Sequence, residues 1–232
     1  MKICTWNCNG AFYKKWKNIN DVGADVFVIQ ECEMPKNKMI KEFTSHYLWT
    51  GVNNKGIGIF VKDNINIQEN KWDSFGLEWF ISCSINNQVL LIGIWGCRNY
   101  IEDINLYLRI HAQKIKKYKN IVVCGDFNSN SMWDKKHIRR SHSDAVSLLS
   151  SYEIESCYHN ERNEQQGHEL TPTFYLYRKR DRPYHIDYIF ANPDKVSDVQ
   201  VGEYDEWIKY SDHMPIVAVI DDKDVFNETI RN

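Results

Sequence analysis

Residues 121–128 place a carboxylate and an amide two positions apart at the end of a short apolar run. The run is too brief for a helix and ends at Gly125, which predicts a strand. Extended residues at i and i+2 point to the same side, so Asp126 and Asn128 would face one reaction site. Gly, Asp and Asn are also common turn formers, so an ordinary turn is the alternative that this stretch alone leaves open.

Polar side chains suited to metal and phosphate chemistry also accompany other apolar runs. In chain order they are Asn7, Asn9, Glu31, Asp187, Asp212 and His213. Each alone has an ordinary explanation, since Asn before Gly favours a turn and Glu at a strand end is commonly solvated. Ser211 gives no support for a serine hydrolase, because the sequence has no Gly-x-Ser-x-Gly elbow.

Short strands and a few helices would position these residues. Hydrophobic periodicity predicts strands over residues 3–6, 26–29, 57–61, 65–68, 79–85, 89–95, 173–177, 186–190, 196–201 and 215–220. It predicts helices over residues 35–43, 101–118 and 142–151, and one that begins near Phe12. Many strands with three or four helices favour two sheets packed face to face, with the helices outside.

Composition limits the class of protein. A length of 232 residues favours one large domain, residues 1–232, with a core of adequate size. A hydrophobic fraction of 43% with 8 Trp and 13 Tyr excludes a disordered chain. The formal net charge of -2 gives no whole-chain argument for nucleic acid, so any such argument must come from local patches.

The cysteines and the N-terminus bear on the compartment. The 7 Cys lack the paired spacing of zinc sites, and Cys4, Cys83 and Cys124 lie in apolar runs. Buried free thiols in a reducing compartment fit this pattern. No apolar signal region opens the chain, and no run approaches about 18 apolar residues. We therefore expect a soluble, cytoplasmic protein without a membrane span.

Five short motifs, taken in order, resemble the endonuclease/exonuclease/phosphatase superfamily, which includes deoxyribonuclease I and exonuclease III. They are WNCNG at residues 6–10, IQE at 29–31, GDFN at 125–128, IDY at 186–188 and SDH at 211–213. The resemblance implies a four-layered α/β sandwich, in which two packed, mostly antiparallel β-sheets are flanked by helices. It also implies hydrolysis of phosphate esters with a divalent cation.

By this resemblance, the metal ligands are Glu31, Asn9 beside it and Asp212. The implied cation is Mg²⁺, with Mn²⁺ as a substitute. Mg²⁺ prefers oxygen ligands and keeps several waters, so one or two carboxylates and the substrate phosphate suffice. The absence of Cys and His at zinc spacing agrees with an oxygen-ligated cation.

The resemblance also implies catalytic roles. Asp126 orients or deprotonates the attacking water, and Asn7 and Asn128 position phosphate oxygens and the nucleophile. His213 contacts the scissile phosphate and is hydrogen-bonded to Asp187. These residue types suit the reaction, because an anionic phosphodiester repels hydroxide and catalysis relies on charge neutralisation and in-line positioning.

Two stretches depart from abasic-site endonucleases of the exonuclease III type. Cys-Glu follows Glu31 where those enzymes carry Thr-Lys, and residues 95–100 lack their Tyr-x-Pro-Asn-like segment. Arg98 or Tyr100 would have to substitute as substrate contacts. The sequence therefore does not indicate a dedicated abasic-site repair enzyme.

Local positive charge points to nucleic acid. Residues 133–140 follow GDFN closely and combine an aromatic ring with four cations, namely Trp133, Lys135, Lys136, Arg139 and Arg140. Residues 178–182 form a second basic cluster. Basic residues beside aromatics suit a phosphate backbone with stacked bases, and ordinary solvated loops are the alternative.

The leading hypothesis is a divalent-metal-dependent nuclease that hydrolyses DNA or RNA phosphodiester bonds. The second is a phosphatase or phosphodiesterase acting on a small phosphorylated molecule or lipid headgroup. The third is a non-catalytic nucleic-acid-binding module, which the full set of catalytic residue types argues against. Nothing in the sequence indicates a protein partner or a membrane partner.

Overall fold

The computed structural model describes residues 1–36, 42–137 and 139–221. Most of the helix predicted over residues 35–43, and Ile138 of the basic segment, lie outside these residues. None of the helices in the described residues has the length and apolar composition needed to cross a bilayer.

Short helices interrupt a longer series of strands along the chain. The strands of the described residues are β1 Lys2–Asn7, β2 Val26–Cys32, β3 Tyr47–Val52, β4 Lys55–Val61, β5 Ile67–Glu69, β6 Phe80–Ile85, β7 Val89–Trp95, β8 Asn120–Asp126, β9 Glu155–Ser156, β10 Phe174–Tyr175, β11 Pro183–Tyr184, β12 Asp187–Ala191, β13 Val196–Val201 and β14 Ile216–Ile220. The α-helices of the same residues are α1 Phe12–Asn20, α2 Ile101–Ile110, α3 Ala112–Ile115, α4 His142–Ser150, α5 Cys157–Arg162 and α6 Tyr204–Trp207. The described part of the chain also contains the 3₁₀ turns Ser131–Lys136, Leu176–Arg178 and Pro193–Lys195.

Within the described residues, the strands form two six-stranded sheets and one small hairpin. The first sheet has the order β13-β14-β1-β2-β4-β3, and the second has the order β5-β6-β7-β8-β12-β9. Strands β10 and β11 form the hairpin. Among the strand pairs that the structure describes, only β1 with β2 and β7 with β8 run parallel, and helices connect both pairs, as parallel strands require. The predicted, mostly antiparallel pairing is confirmed.

The two large sheets pack face to face. Ile3, Val28 and Ile59 of the first sheet share a buried cluster with Leu91 and Ile189 of the second. Helices cover both outer faces, and their apolar residues form two further clusters with the strands beneath them. The order helix, sheet, sheet, helix is the four-layered sandwich expected from the sequence.

The predicted single helix over residues 101–118 is wrong in its middle. The chain forms α2 and α3 instead, and they are separated at His111 (φ -94°, ψ 5°). The His111 ring is buried against Trp72 and Tyr107, with ring centroids 4.9 and 4.5 Å away. Apolar residues continue at helical spacing on both sides of the break, so the periodicity gave no sign of it.

The strand predicted over residues 173–177 is also too long. Only Phe174–Tyr175 pairs in a strand, and a 3₁₀ turn follows in which Tyr177 and Arg178 have positive φ. Strand β3 was not predicted, because its residues are half-exposed and its alternation of buried and exposed positions is weak.

Candidate active site

The candidate site lies where the ends of β1 and β8 meet across the sandwich. Asn7 is the last residue of β1, and Asp126 is the last residue of β8. Asn7 Nδ2 donates a hydrogen bond of 2.9 Å to Asp126 Oδ2, and both side chains are buried. The two sheets therefore contribute to one site.

Amide groups fix the carboxylate of Asp126. Asn128 donates from its backbone nitrogen to Asp126 Oδ1 (2.8 Å) and from Nδ2 to Asp126 Oδ2 (3.0 Å). Asn128 also donates from Nδ2 to the Gly96 carbonyl (2.9 Å). Gly125 is required here, because at φ +148° a Cβ would lie 1.8 Å from the Ile94 carbonyl oxygen. This close approach of β8 to β7 holds Asp126 and Asn128 in place.

Asp187 and His213 form a buried pair beside Asp126. Asp187 lies directly opposite Asp126 in the β8–β12 register, an arrangement that is unfavourable for two like charges. The His213 ring lies between them, with Nδ1 2.9 Å from Asp187 Oδ2 and Nε2 4.0 Å from Asp126 Oδ2. Thr173 donates from Oγ1 to Asp187 Oδ2 (2.7 Å) and so orients this carboxylate.

Burial and mutual charge shift the pKa values of this cluster. Burial raises the pKa of Asp126 to about 7, and the negative charge of Asp187 adds to the effect. Burial alone would lower the pKa of His213, but the carboxylates of Asp187 and Asp126 outweigh it and raise the pKa to about 9. The positive charge of the His213 ring works against the shift at Asp126, but burial and the charge of Asp187 outweigh it.

These three residues also meet the geometric condition for holding a cation. Ligand atoms of Asp126, Asp187 and His213 all lie within 4.8 Å of one another. However, Nδ1 of His213 is committed to Asp187, and the raised pKa of His213 favours a proton on the ring. The imidazolium already supplies positive charge at this position, so the geometry fits an acid–base pair better than a metal centre.

Glu31 reaches the site from a β-bulge. The register between β2 and β4 shifts at this residue, and Glu31 has a φ of 58°. Its Oε1 accepts a hydrogen bond from Asn7 Nδ2 (3.3 Å), and its Oε2 lies 2.7 Å from Lys55 Nζ. Asn7 thus connects Glu31 to Asp126.

The other two predicted metal ligands contact each other. Asn9 Nδ2 donates to Asp212 Oδ1 (2.6 Å), and the Asn9 backbone nitrogen donates to Asn7 Oδ1 (3.0 Å). Ser211 Oγ donates to the Asn7 carbonyl (2.7 Å), which holds residues 211–213 beside the end of β1. These hydrogen bonds therefore connect Asn9 and residues 211–213 to Asn7, which in turn orients Glu31.

The donor set around Glu31 fits a hard divalent cation. Carboxylate and amide oxygens are the ligands that Mg²⁺ prefers, and an ammonium group already sits on the second carboxylate oxygen of Glu31. The nearby thiols of Cys8 and Cys32 are buried, and burial raises their pKa values, so neither is available as a thiolate ligand.

An aromatic row leads away from His213. The Phe174 ring packs against the His213 ring with centroids 4.5 Å apart. The centroid of the Tyr184 ring lies 6.3 Å from that of Phe174, and the Trp133 and Tyr184 ring centroids are 5.4 Å apart. The segment over residues 133–140 therefore begins at the outer end of this row, and its cations Lys135, Lys136, Arg139 and Arg140 are exposed.

Partly buried hydrogen bonds hold the start of that segment. Asn130 accepts a hydrogen bond from the Met132 nitrogen at the first turn of Ser131–Lys136, and donates from Nδ2 to Glu169 Oε1 (3.0 Å). Glu169 in turn lies 3.0 Å from His159 Nε2. Burial alone would raise the pKa of Glu169, but the hydrogen bonds from His159 and from backbone N–H groups together outweigh it and lower the pKa to about 2.

The other two predicted substrate contacts, Arg98 and Tyr100, are not part of this aromatic row. Arg98 pairs with Glu78 (Nη2 to Oε2, 2.8 Å), so its guanidinium is turned toward that carboxylate. Tyr100 is 47% exposed. Sequence reasoning missed Thr173, Phe174, Tyr184 and Lys55. The Thr-Pro-Thr-Phe stretch before the IDY motif was the available signal for the first two.

Comparisons with known proteins agree with the fold. The sequence profile of the Endonuclease/Exonuclease/phosphatase family matches residues 4–213. The 3'-5' exonuclease NExo from Neisseria meningitidis is similar in structure, with a TM-score of 0.69 at 19% identity over 95% of this chain and 100% of that chain. The structure of the 3' phosphatase NExo from Neisseria with a product DNA hairpin has a TM-score of 0.68 at 19% identity, over 95% and 99%. No curated protein matches the sequence.

Proposed function

Because the chain belongs to the endonuclease/exonuclease/phosphatase family, we propose that it is a divalent-metal-dependent nuclease that hydrolyses DNA or RNA phosphodiester bonds. One observation carries the proposal. Asn7 joins Glu31 to Asp126, and His213 lies between Asp126 and Asp187. Such a set of carboxylates, amides and an imidazole can neutralise and position an anionic phosphate ester.

Asp126 is the residue that we assign to the attacking water. A pKa of about 7 lets a carboxylate accept a proton near neutral pH, which an ordinary Asp does poorly. Asn7 and Asn128 hold this carboxylate through their amides, so its orientation does not depend on the substrate.

His213 is the residue that we assign to the phosphate. Its Nδ1 is held by Asp187, which leaves Nε2 on the side that faces Asp126. With a pKa of about 9 the ring is charged at neutral pH and donates a charge-assisted hydrogen bond to a phosphate oxygen.

The metal ligands in this proposal are Glu31, Asn9 and Asp212. A bound divalent cation supplies positive charge to the phosphate oxygens. The chain's own contribution is orientation, because Asn7 fixes one carboxylate oxygen of Glu31 and Asn9 fixes one oxygen of Asp212. Mg²⁺ is the cation that these oxygen donors favour, with Mn²⁺ as a substitute.

A nucleic-acid substrate is supported by the aromatic row and the exposed cations beside it. A row of aromatic rings that leads outward from His213 suits nucleobases, and the four cations over residues 135–140 suit a phosphate backbone. The two similar structures point the same way, since one is named a 3'-5' exonuclease and the other is bound to a product DNA hairpin.

The proposal also covers the domain organisation and the cellular compartment. We take residues 1–232 as one catalytic domain, because the site draws its residues from both large sheets. We place the protein in a reducing compartment such as the cytoplasm, because all 7 cysteines are free thiols.

A panel of substrates with and without Mg²⁺ tests the function. We expect cleavage of one or more of single-stranded DNA, double-stranded DNA, RNA and abasic DNA, and loss of that cleavage in excess chelator. Inositol phosphates and sphingomyelin serve as the competing substrates. Hydrolysis of these alone would contradict a nuclease and favour the small-molecule phosphatase, and full activity in excess chelator would contradict metal dependence.

The basic segment should set the salt dependence of binding. If Lys135, Lys136, Arg139 and Arg140 all contact phosphates, changing them to Ala weakens binding with little sequence preference and makes the log–log salt slope shallower by about 3 to 4. Equilibrium binding of an oligonucleotide at several salt concentrations, with a catalytically inactive variant, measures this. A matched control changes Lys114, Lys116, Lys117 and Lys119, which lie in and after α3.

Trp133 should behave differently from its basic neighbours. Trp133→Ala is expected to cost about 1 to 3 kcal/mol of binding to single strands through lost stacking, and to leave the salt slope nearly unchanged. An unchanged slope in the quadruple variant would remove this segment from the binding site. Loss of thermal stability in Trp133→Ala without loss of affinity would assign Trp133 to packing against Tyr184 instead.

A further inference from the structure

Lys55 provides a cation at Glu31. Its Nζ lies 2.7 Å from Glu31 Oε2 and 5.5 Å from the centroid of the Trp95 ring. Lys55 is the first residue of β4 and follows a turn in which Asn53 and Asn54 both have positive φ. A tight hairpin therefore delivers this ammonium group to the site.

The position of the ammonium group is unusual for a surface ion pair. The Glu31 side chain is only 20% exposed, and its other oxygen, Oε1, accepts a hydrogen bond from Asn7. The oxygen that Lys55 contacts is thus the one left for a cation. A divalent ion at about 2.1 Å from that oxygen would lie close to a like charge if the ammonium group stayed in place.

We propose that Lys55 and the divalent cation compete for the carboxylate of Glu31, and that metal binding releases Lys55 to contact the phosphate of the substrate. This inference rests on the proposed function. No bond is made or broken, since only an ion pair is exchanged.

The structure offers Lys55 a short path for this movement. Its side chain is 52% exposed and has a flexible four-carbon stem, so the ammonium group can move by rotation about single bonds. The Trp95 ring holds a cation at its face, and Trp95 pairs with Asp126 in the β7–β8 register. An ammonium group that leaves Glu31 along this ring stays at the end of the sheet where Trp95 and Asp126 are neighbours in the register.

The exchange would keep the site close to charge balance. In the metal-free protein, Lys55 compensates the charge of Glu31. In the loaded protein, the divalent cation takes over that task, and Lys55 adds positive charge where the anionic substrate binds. A residue of this kind weakens metal binding slightly and strengthens substrate binding, so its removal has effects of opposite sign.

The first measurement is calorimetric titration with Mn²⁺ without substrate. Lys55→Met keeps an apolar stem over Trp95 and removes the charge. We expect it to bind Mn²⁺ up to about fivefold more tightly than the wild type, because exposed ion pairs contribute up to about that factor. Lys62→Met is the matched control, since Lys62 pairs with Asp25 at 2.9 Å at the other end of the same hairpin strand, and its Mn²⁺ affinity should not change.

The second measurement is binding of a fluorescent oligonucleotide at saturating Mn²⁺, in an Asp126→Asn background that prevents turnover. Adding Lys55→Met should weaken binding about three- to tenfold, and Lys55→Arg should retain most of the affinity. Tighter metal binding together with weaker substrate binding supports the inference, because a purely structural role would weaken both.

The outcomes separate this inference from the function on which it rests. Wild-type protein that binds no Mn²⁺ would overturn the metal-dependent function itself. Wild-type binding with an unchanged or weaker affinity in Lys55→Met would overturn the competition alone. Unchanged oligonucleotide binding in the double variant would overturn the contact between Lys55 and the substrate phosphate.

Discussion

Changing Asp126 to Asn should lower the single-turnover rate of hydrolysis about a hundredfold or more while the protein stays folded. The substitution keeps the shape of the side chain and removes the group with the raised pKa that we assign to the attacking water. Glu31→Gln should have a loss of similar size, because the amide lacks the negative charge with which the Glu31 carboxylate attracts a divalent cation. Both effects come from charge rather than from packing.

These two variants should be measured in Mg²⁺ beside thermal unfolding, so that lost activity can be separated from lost structure. Asp198→Asn is a suitable control, since Asp198 lies in β13, where Gln200 donates a hydrogen bond to its carboxylate. Rates near the wild-type value in both site variants would contradict the assignment. A large loss in the control would point to a general effect of the substitution.

Removing His213 should be at least as damaging as neutralising its partner Asp187. His213→Ala deletes the imidazolium and is expected to cost about a hundredfold or more in rate. Asp187→Asn leaves the ring in place but withdraws the carboxylate that holds Nδ1, so the ring loses its orientation and part of its positive charge. We therefore expect impaired but measurable hydrolysis.

The double variant decides whether the two residues act as one unit. If they do, the combined loss, expressed as free energy, is smaller than the sum of the separate losses. Single-turnover rates of the four proteins give this coupling directly. Strict additivity would argue that Asp187 has a separate role, for example in holding Thr173 and the start of β12.

The sequence predicted the fold class well because its strands are marked by strong local signals. Apolar runs that end in Gly, Asn or Glu identify β1, β2 and β8 together with the polar residue that follows each one. The structure then brings Asn7 and Asp126 together although 119 positions separate them. That contact results from packing one sheet on the other, which no local pattern encodes.

Other parts of the site carry no local signal. Lys55 lies at a hairpin whose first strand is half-exposed, so neither the hairpin nor the contact with Glu31 was expected. Thr173 and Tyr184 reach the site through the short hairpin of β10 and β11, where two-residue strands show no periodicity. The break at His111 is similarly tertiary, because the ring leaves the helix to pack among aromatic rings.

The distribution of thiols makes the natural sequence convenient for site-specific labelling. All 7 cysteines lie in the described residues, and six of them are buried, whereas Cys97 is partly exposed. Buried neutral thiols react slowly with maleimides, so a dye would attach first at Cys97. Cys97 follows Gly96, whose carbonyl accepts a hydrogen bond from Asn128. A fluorophore there would report events next to Asp126 without any engineered cysteine.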